Sequence, residues 1–383
     1  DRVFGMSCLY RSFWMFSALM AAVLPVACFA DDLPASEQEW AAFFDPVLEE
    51  TMTRNQAPGA VVAVVHGDKC VFAKGFGTAV LGKEVPVTAG ETLFRVASIS
   101  KLCTTIAVMQ LVETGRLNIN ADVNLYLDTF QIHDAYPEPV TLHQLLTHTA
   151  GFDERLLGMG ARTRADLLPL GDYLARRMPP RVMEPGECVS YSNHGFALAG
   201  HIVEVVSGMP FPEYAKTNIL EPLGMTHSTF DPEPGPPLAE SVTWLFGMNR
   251  PTVFDYPQTP PASSLTVTAE DMARFMRAIL RNGELEGKRI LREDIAKMMM
   301  ERHFAHRPEF NAGRAYGFSE EMWNGRHVLS HTGQIWGFTS IVLLIPEADC
   351  GMFVSCSTDR IGQYGAVAGR FMNQFFPAPE KAP

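Results

Sequence analysis

The chain has 383 residues, 47% of them hydrophobic and 19% charged, a composition that fits a folded globular protein and excludes a disordered or collagen-like one. Lys and Arg number 31 against 43 Asp and Glu, a formal charge of −12. That balance leaves no basic excess to neutralise phosphates, so nucleic-acid binding is not expected.

Arg2 and Arg11 precede an apolar run from Ser12 to Phe29; Pro25 breaks the run, and Ala30 stands before Asp31-Asp32. Basic, apolar and small-residue regions in that order read as a secretory signal peptide over residues 1–30. The mature chain is then exported, periplasmic or secreted, with no stable membrane span after cleavage. An uncleaved anchor stays open, because the run is just long enough to span. So does a lipoprotein held through Cys28, since Val26-Ala27-Cys28 loosely matches a lipobox. Five cysteines remain after cleavage, an odd number, so at least one thiol is unpaired.

Ala35 to Arg54 reads as an amphipathic helix with Trp40, Phe43, Phe44, Val47 and Leu48 on one side. Two β-branched runs follow, Gly59–His66 and Lys69–Gly77, joined by the hairpin signal Gly67-Asp68. Ser98 to Thr114 keeps helical spacing through Ile99, Leu102, Cys103, Ile106 and Met109, and Gly115 ends it. Helical patterns continue through the middle, including Gly195–Ser207. The Pro-rich stretch 231–261 reads as an irregular loop. Ala269–Asn282 is helical again, and three strand-like runs, Val328–Thr332, Thr339–Ile345 and Met352–Ser357, precede a last helix from about Gly362 to Phe376. Strands at both ends around a helical middle predict an α/β (α+β) fold. One antiparallel sheet, from residues 31–100 and 264–383, would receive an inserted, mainly helical domain over 101–263.

No CxxC or HxH cluster points to a metal, and no cofactor is expected. His327 and His331 are four apart, but on a strand that places them roughly 13 Å apart. Three other short patterns carry chemistry. In Ser98-Ile99-Ser100-Lys101 the serine and lysine share a helix face. A serine hydroxyl needs a base, and a lysine whose ammonium is destabilised by burial can serve. By composition alone about one SxxK is expected in a chain of this length, so the pattern is weak by itself. Tyr191-Ser192-Asn193 offers a tyrosine whose pKa a neighbouring cation can lower, and an amide able to donate to a substrate carbonyl. His331-Thr332-Gly333 sits on a predicted strand, where the glycine would let a substrate backbone approach and the next N–H, of Gln334, could face an oxyanion.

The order SxxK, YxN, (K/H)TG, at separations of about 90 and 140 residues, is far more specific than its parts. With Thr92–Ser98, Leu145–Phe152, Pro185-Gly186 and Thr266–Met276, the chain resembles the penicillin-recognising serine hydrolases. The nearest branch holds class C β-lactamases, D-alanyl-D-alanine carboxypeptidases and family VIII carboxylesterases. The resemblance covers about Ser36 to Phe376 and implies a β-lactamase/transpeptidase-like fold. It implies that Ser98 is the acylated nucleophile, Lys101 its proton partner and Tyr191 the shared acid/base. Asn193, His331, Thr332, Gly333 and Gln334 would bind substrate, with the N–H groups of Ser98 and Gln334 as oxyanion hole. The departure is His331 where many relatives carry Lys, a cation for a substrate carboxylate; an ordinary imidazole is mostly neutral at pH 7. This favours a serine acyl-hydrolase of carboxylesterase type with weak β-lactamase activity. A β-lactamase or D-Ala-D-Ala carboxypeptidase proper, and a protein that binds penicillin or cell-wall fragments without turnover, are the alternatives. The expected partner is a small ester, β-lactam or peptide.

Overall fold

In the computed structural model, residues 33–379 are described, apart from 134, 236, 254, 308, 310 and 361. The segment read as a signal peptide, with Cys28, lies outside the described residues. Helix α1 spans Glu37–Asn55 and starts at a reciprocal cap, in which Ser36 accepts from the Glu39 N–H and the Glu39 carboxylate accepts from Ser36. Such a cap satisfies amides that the first helical turn leaves without partners. Strands β1 (Gly59–His66) and β2 (Lys69–Gly77) form the expected hairpin.

A short antiparallel pair, Phe94–Arg95 with Thr266–Val267, leads into a single 3-10 turn, Ala97–Ile99, and then into helix α2, Ser100–Glu113. Helices α3 (Leu142–Leu146), α4 (Leu170–Arg177) and α5 (Asn193–Ser207) follow. The stretch 231–261 is more ordered than its prolines imply. It holds a two-stranded hairpin, Val242–Leu245 with Met248–Pro251, and the start of helix α6, Pro260–Ser263. Proline suits the first turn of a helix, where its missing N–H is not needed. Helix α7 is Ala269–Leu280.

Five strands come from the last quarter of the chain: β3 (Ala312–Arg314), β4 (Ser319–Trp323), β5 (Arg326–Ile335), β6 (Phe338–Ile345) and β7 (Cys350–Cys356); helix α8, Gln363–Phe375, closes it. The first two were not foreseen, because Ala312–Arg314 is three residues long and Ser319–Trp323 is acidic. The sheet is antiparallel, in the order β3-β4-β5-β6-β7-β1-β2, so the last strand lies beside the first. Its middle strands are buried on both faces, which is why they read as unbroken apolar runs. Val61, Ala63 and Val65 enter one core with α2, α5 and α7; Ala60, Val62 and Val64 enter a second with α1 and α8.

Candidate active site

Ser98 stands in the 3-10 turn ahead of α2. Ala97, just before it, has a φ of 47°. A left-handed alanine is strained, and such strain persists only where the surroundings over-determine it. Two features hold it here. The buried Ser100 hydroxyl donates to the Ala97 carbonyl at 2.5 Å and accepts from the Leu265 N–H at 2.9 Å. On the other side the turn packs on β5 at Gly333, where any Cβ would clash with the Val96 carbonyl. The glycine of His331-Thr332-Gly333 therefore makes room for the chain's own backbone, not for a substrate's as its position on a strand implied.

Lys101, one turn after Ser98, is completely buried. As an ammonium its Nζ donates to Ser98 Oγ at 3.0 Å, Asn193 Oδ1 at 2.7 Å and the Ala262 carbonyl at 2.9 Å. Burial pulls its pKa down to about 7, and the charge of Glu154 opposes the fall. A neutral amine has two N–H bonds and one lone pair. Asn193 Oδ1 and the Ala262 carbonyl can only accept, so they hold the two N–H bonds and leave the lone pair facing Ser98. The position of α6 thus matters to the chemistry, through one carbonyl that no side-chain pattern reveals.

Tyr191 donates its hydroxyl to Ser98 Oγ at 2.7 Å, and Lys101 Nζ lies 4.9 Å from the centre of its ring. The cation therefore faces the ring rather than the phenol oxygen. Desolvation pushes the phenol above its ordinary value, and the hydrogen bond with Ser98 and the charge of Arg314 only partly offset this. The lowering expected from a neighbouring lysine does not occur. Tyr191 is a neutral donor to Ser98, although 37% of the residue is exposed.

His148 holds the tyrosine in place. Its ring lies 4.3 Å from that of Tyr191 and 4.8 Å from that of Phe196, centre to centre. Its Nδ1 accepts from the Ser192 N–H at 3.2 Å, and its carbonyl accepts from the Ser190 N–H at 2.7 Å. Burial and the charge of Lys101 drive its pKa well below the usual imidazole range. His148 lies in the segment Leu145–Phe152 that carries part of the resemblance, but its spacing, 43 positions before Tyr191, gives it no role there as a support for the site.

His331 is buried on β5, and its Nδ1 donates to the Thr332 carbonyl at 2.7 Å. Burial first, then Lys101, brings its pKa to about 3, so it is neutral across the physiological range. Arg314, on β3, is half-buried and donates to Ser319 Oγ at 2.6 Å. His327, on the same strand as His331, instead meets the buried Glu320 at 3.0 Å.

A cleft of about 660 Å³ opens over Ser98. Ser98, Asn193 and Gln334 line it; Lys101, His331 and Gly333 are buried, and Tyr191 and Thr332 are exposed. Its walls carry Leu156, Leu157, Met159, Ile335 and Trp336, and among the described residues its ionisable lining is Asp255 and Asp359. Asp255 is held by the buried Arg95, which donates to its Oδ1 at 3.1 Å and to its carbonyl at 3.0 Å. Asn193 has its oxygen committed to Lys101, which leaves its NH2 to face the cleft. Among the described residues, no group of three or more His, Cys, Asp or Glu is placed to hold a metal, and no helix is long and apolar enough to cross a membrane.

The family model described as Beta-lactamase matches residues 44–375. Protein flp of Staphylococcus aureus (strain N315) is 27% identical over 316 residues, covering 81% of this chain. The chain spans 61% of the length of that relative. Penicillin-binding protein 4 of Amycolatopsis lactamdurans is 27% identical over 371 residues, covering 91% of this chain and 94% of that protein. Among solved structures, the octameric penicillin-binding protein homologue from Pyrococcus abyssi superposes with a TM-score of 0.75 at 28% identity, covering 89% of this chain and 79% of that one. The fold is the β-lactamase/transpeptidase-like fold.

Proposed function

The chain belongs to the beta-lactamase family, and from that premise we propose that it is a serine acyl-hydrolase acting on uncharged esters and small amides through an acyl-enzyme on Ser98. The observation that carries the reading is the convergence of Lys101 Nζ and Tyr191 OH on Ser98 Oγ, at 3.0 and 2.7 Å, at the floor of the cleft. Neutral Lys101 takes the Ser98 proton as Oγ bonds to the substrate carbonyl carbon. The N–H groups of Ser98 and Gln334 face the oxygen that gains charge. The carbon–oxygen bond to the alcohol then breaks, and the alcohol leaves with the proton that Lys101 took, while the Tyr191 hydroxyl keeps its hydrogen bond to Oγ. Water repeats the sequence in reverse and frees the acid.

Two features support uncharged substrates. Among the described residues, the cleft lining offers a carboxylate group no cation and instead carries Asp255 and Asp359. The histidine that stands where a lysine would bind a carboxylate is neutral and buried. Hydrolysis of β-lactams, which carry a carboxylate, is then a slow side activity.

The test uses p-nitrophenyl acetate and butyrate, nitrocefin and a D-Ala-D-Ala peptide, with fluorophosphonate labelling read by mass spectrometry. Wild type should turn over the esters fastest and take one label on Ser98. Ser98→Ala should lose both, with turnover falling about a thousandfold or more. Labelling of a different serine, or turnover that survives in Ser98→Ala, would sink the assignment. Stoichiometric labelling without turnover of any substrate would identify a binding protein instead.

A further inference from the structure

We propose that Glu154, which lies outside the three sequence patterns, is a positioning residue of this reaction: its carboxylate anchors the first turn of α5 and so aims the Asn193 amide oxygen at Lys101. The inference rests on the reading of Lys101 as the base for Ser98. Its ground is a chain of contacts. The Asn193 N–H donates to Glu154 Oε2 at 2.6 Å, and Asn193 Oδ1 accepts from Lys101 Nζ at 2.7 Å. One residue therefore receives the carboxylate through its backbone and meets the catalytic amine through its side chain.

The carboxylate is itself held in place. Its Oε1 accepts from the Arg155 N–H at 3.0 Å and lies 3.4 Å from Nδ1 of the fully buried His194. The far nitrogen of that imidazole meets the Tyr173 hydroxyl on α4 at 3.0 Å. An N-terminal helix turn favours negative charge, through its free N–H groups and the helix dipole. Glu154 therefore accepts from the open end of α5, and it ties the cleft loop carrying Leu156 and Leu157 to the helix that carries Asn193.

A carboxylate here does two things that an amide would not. It holds the N–H with a charge-assisted bond, which is roughly twice as strong as a neutral one. It also adds a negative potential at Lys101, as its opposition to the fall in the lysine's pKa shows. The other groups facing Lys101 are Ser98, Tyr191 and Phe196, with neutral His148 and His331 beside them and the Arg314 guanidinium beyond. None of these is an anion. Glu154 lies beside His194, and its charge acts on Tyr173 and Tyr191 as well as on Lys101.

The test is the pH profile of kcat/KM on a neutral p-nitrophenyl ester for wild type, Glu154→Gln and Glu154→Asp. Glutamine keeps an acceptor for the Asn193 N–H and removes the charge. The acid limb, expected near pH 7 in wild type, should move to lower pH by about half a unit or more in Glu154→Gln, and the plateau should fall. Aspartate keeps the charge but is one methylene short. Its limb should stay within about half a unit of wild type while its plateau falls severalfold. A fallen plateau with an unmoved limb in Glu154→Gln would make Glu154 a plain loop anchor and overturn the proposal. Should that variant not fold, an Asp variant with unchanged plateau would overturn it instead. Failure of the underlying reading looks different: wild type itself would show no limb near pH 7, or Ser98→Ala would stay active.

Discussion

Lys101→Met separates the two consequences of burying a lysine. The folded protein holds Lys101 near a pKa of about 7, against an ordinary value of 10.5. At pH 7 about half of it is neutral, where a free lysine would be neutral to about 0.03%, so burial raises the population of base roughly a thousandfold. The same shift costs stability. Between the two pKa values the unfolded chain binds the extra proton, so stability rises with pH across that window and the cost is greatest below pH 7. For a shift of this size the cost is about 4 kcal/mol at pH 7 and about 2 kcal/mol at pH 9. Methionine fills similar space and cannot titrate. Urea unfolding of both proteins at pH 7 and pH 9 should therefore show wild type gaining about 2 kcal/mol on the variant between the two. Other groups titrate in both proteins and cancel. In parallel, wild-type kcat/KM should rise through an acid limb near pH 7, and Lys101→Met should be inactive at every pH. A stability difference that stays flat with pH would refute the claim that Lys101 is neutral in the fold, whatever the activity shows.

Tyr191→Phe should fold with wild-type stability within about 1 kcal/mol, since it loses one hydroxyl and little volume, yet lose most of its kcat; activity within a few-fold of wild type would make the hydroxyl structural. Gly333→Ala should unfold at lower temperature and lose turnover together, because its Cβ meets the Val96 carbonyl behind the nucleophile; a stable, active variant would contradict that packing. His331→Lys should change neutral-ester hydrolysis little at pH 8 and improve an anionic β-lactam about tenfold or more where the ammonium reaches the carboxylate; equal loss on both substrates would instead show that the imidazole takes part in proton transfer. Material exported to a periplasm should begin at or near Asp31 by mass spectrometry, and an intact N-terminus in a membrane fraction would favour an anchor.

The elements easiest to read were those whose pattern is local. Trp40, Phe44, Val47 and Leu48 share a helical face because 3.6-residue spacing puts them there, and Gly67-Asp68 marks a turn that needs few other conditions. The edge strand β3 and its neighbour β4 were illegible for the opposite reason. Their stability comes from pairing, β3 with β4 and β4 with β5, rather than from any pattern within either strand. The site divides in the same way. Ser98 and Lys101 are one turn apart, and their chemistry follows from that spacing. Tyr191 and Asn193 needed the ordered triple of patterns. His148, Glu154 and the Ala262 carbonyl contribute through tertiary contacts: a ring face, a helix N-terminus and a backbone oxygen. The direction of the Tyr191 shift also depended on whether Lys101 faces its ring or its oxygen, which spacing does not encode.

One physical cause runs through the whole site. Burial drives each ionisable group around Ser98 toward its neutral form: Lys101, His148 and His331 down, Tyr191 up. At pH 7 these four groups then carry about half a unit of positive charge on average, all of it on Lys101. A proton leaving Ser98 finds a base that loses little solvation when it accepts it, because its hydrogen bonds to Asn193 and Ala262 are already made. That same dryness leaves no hydrated cation at His331 to greet a carboxylate. The preparation of the base and the preference for uncharged substrates are therefore one property, and a change that wets the pocket should weaken both at once.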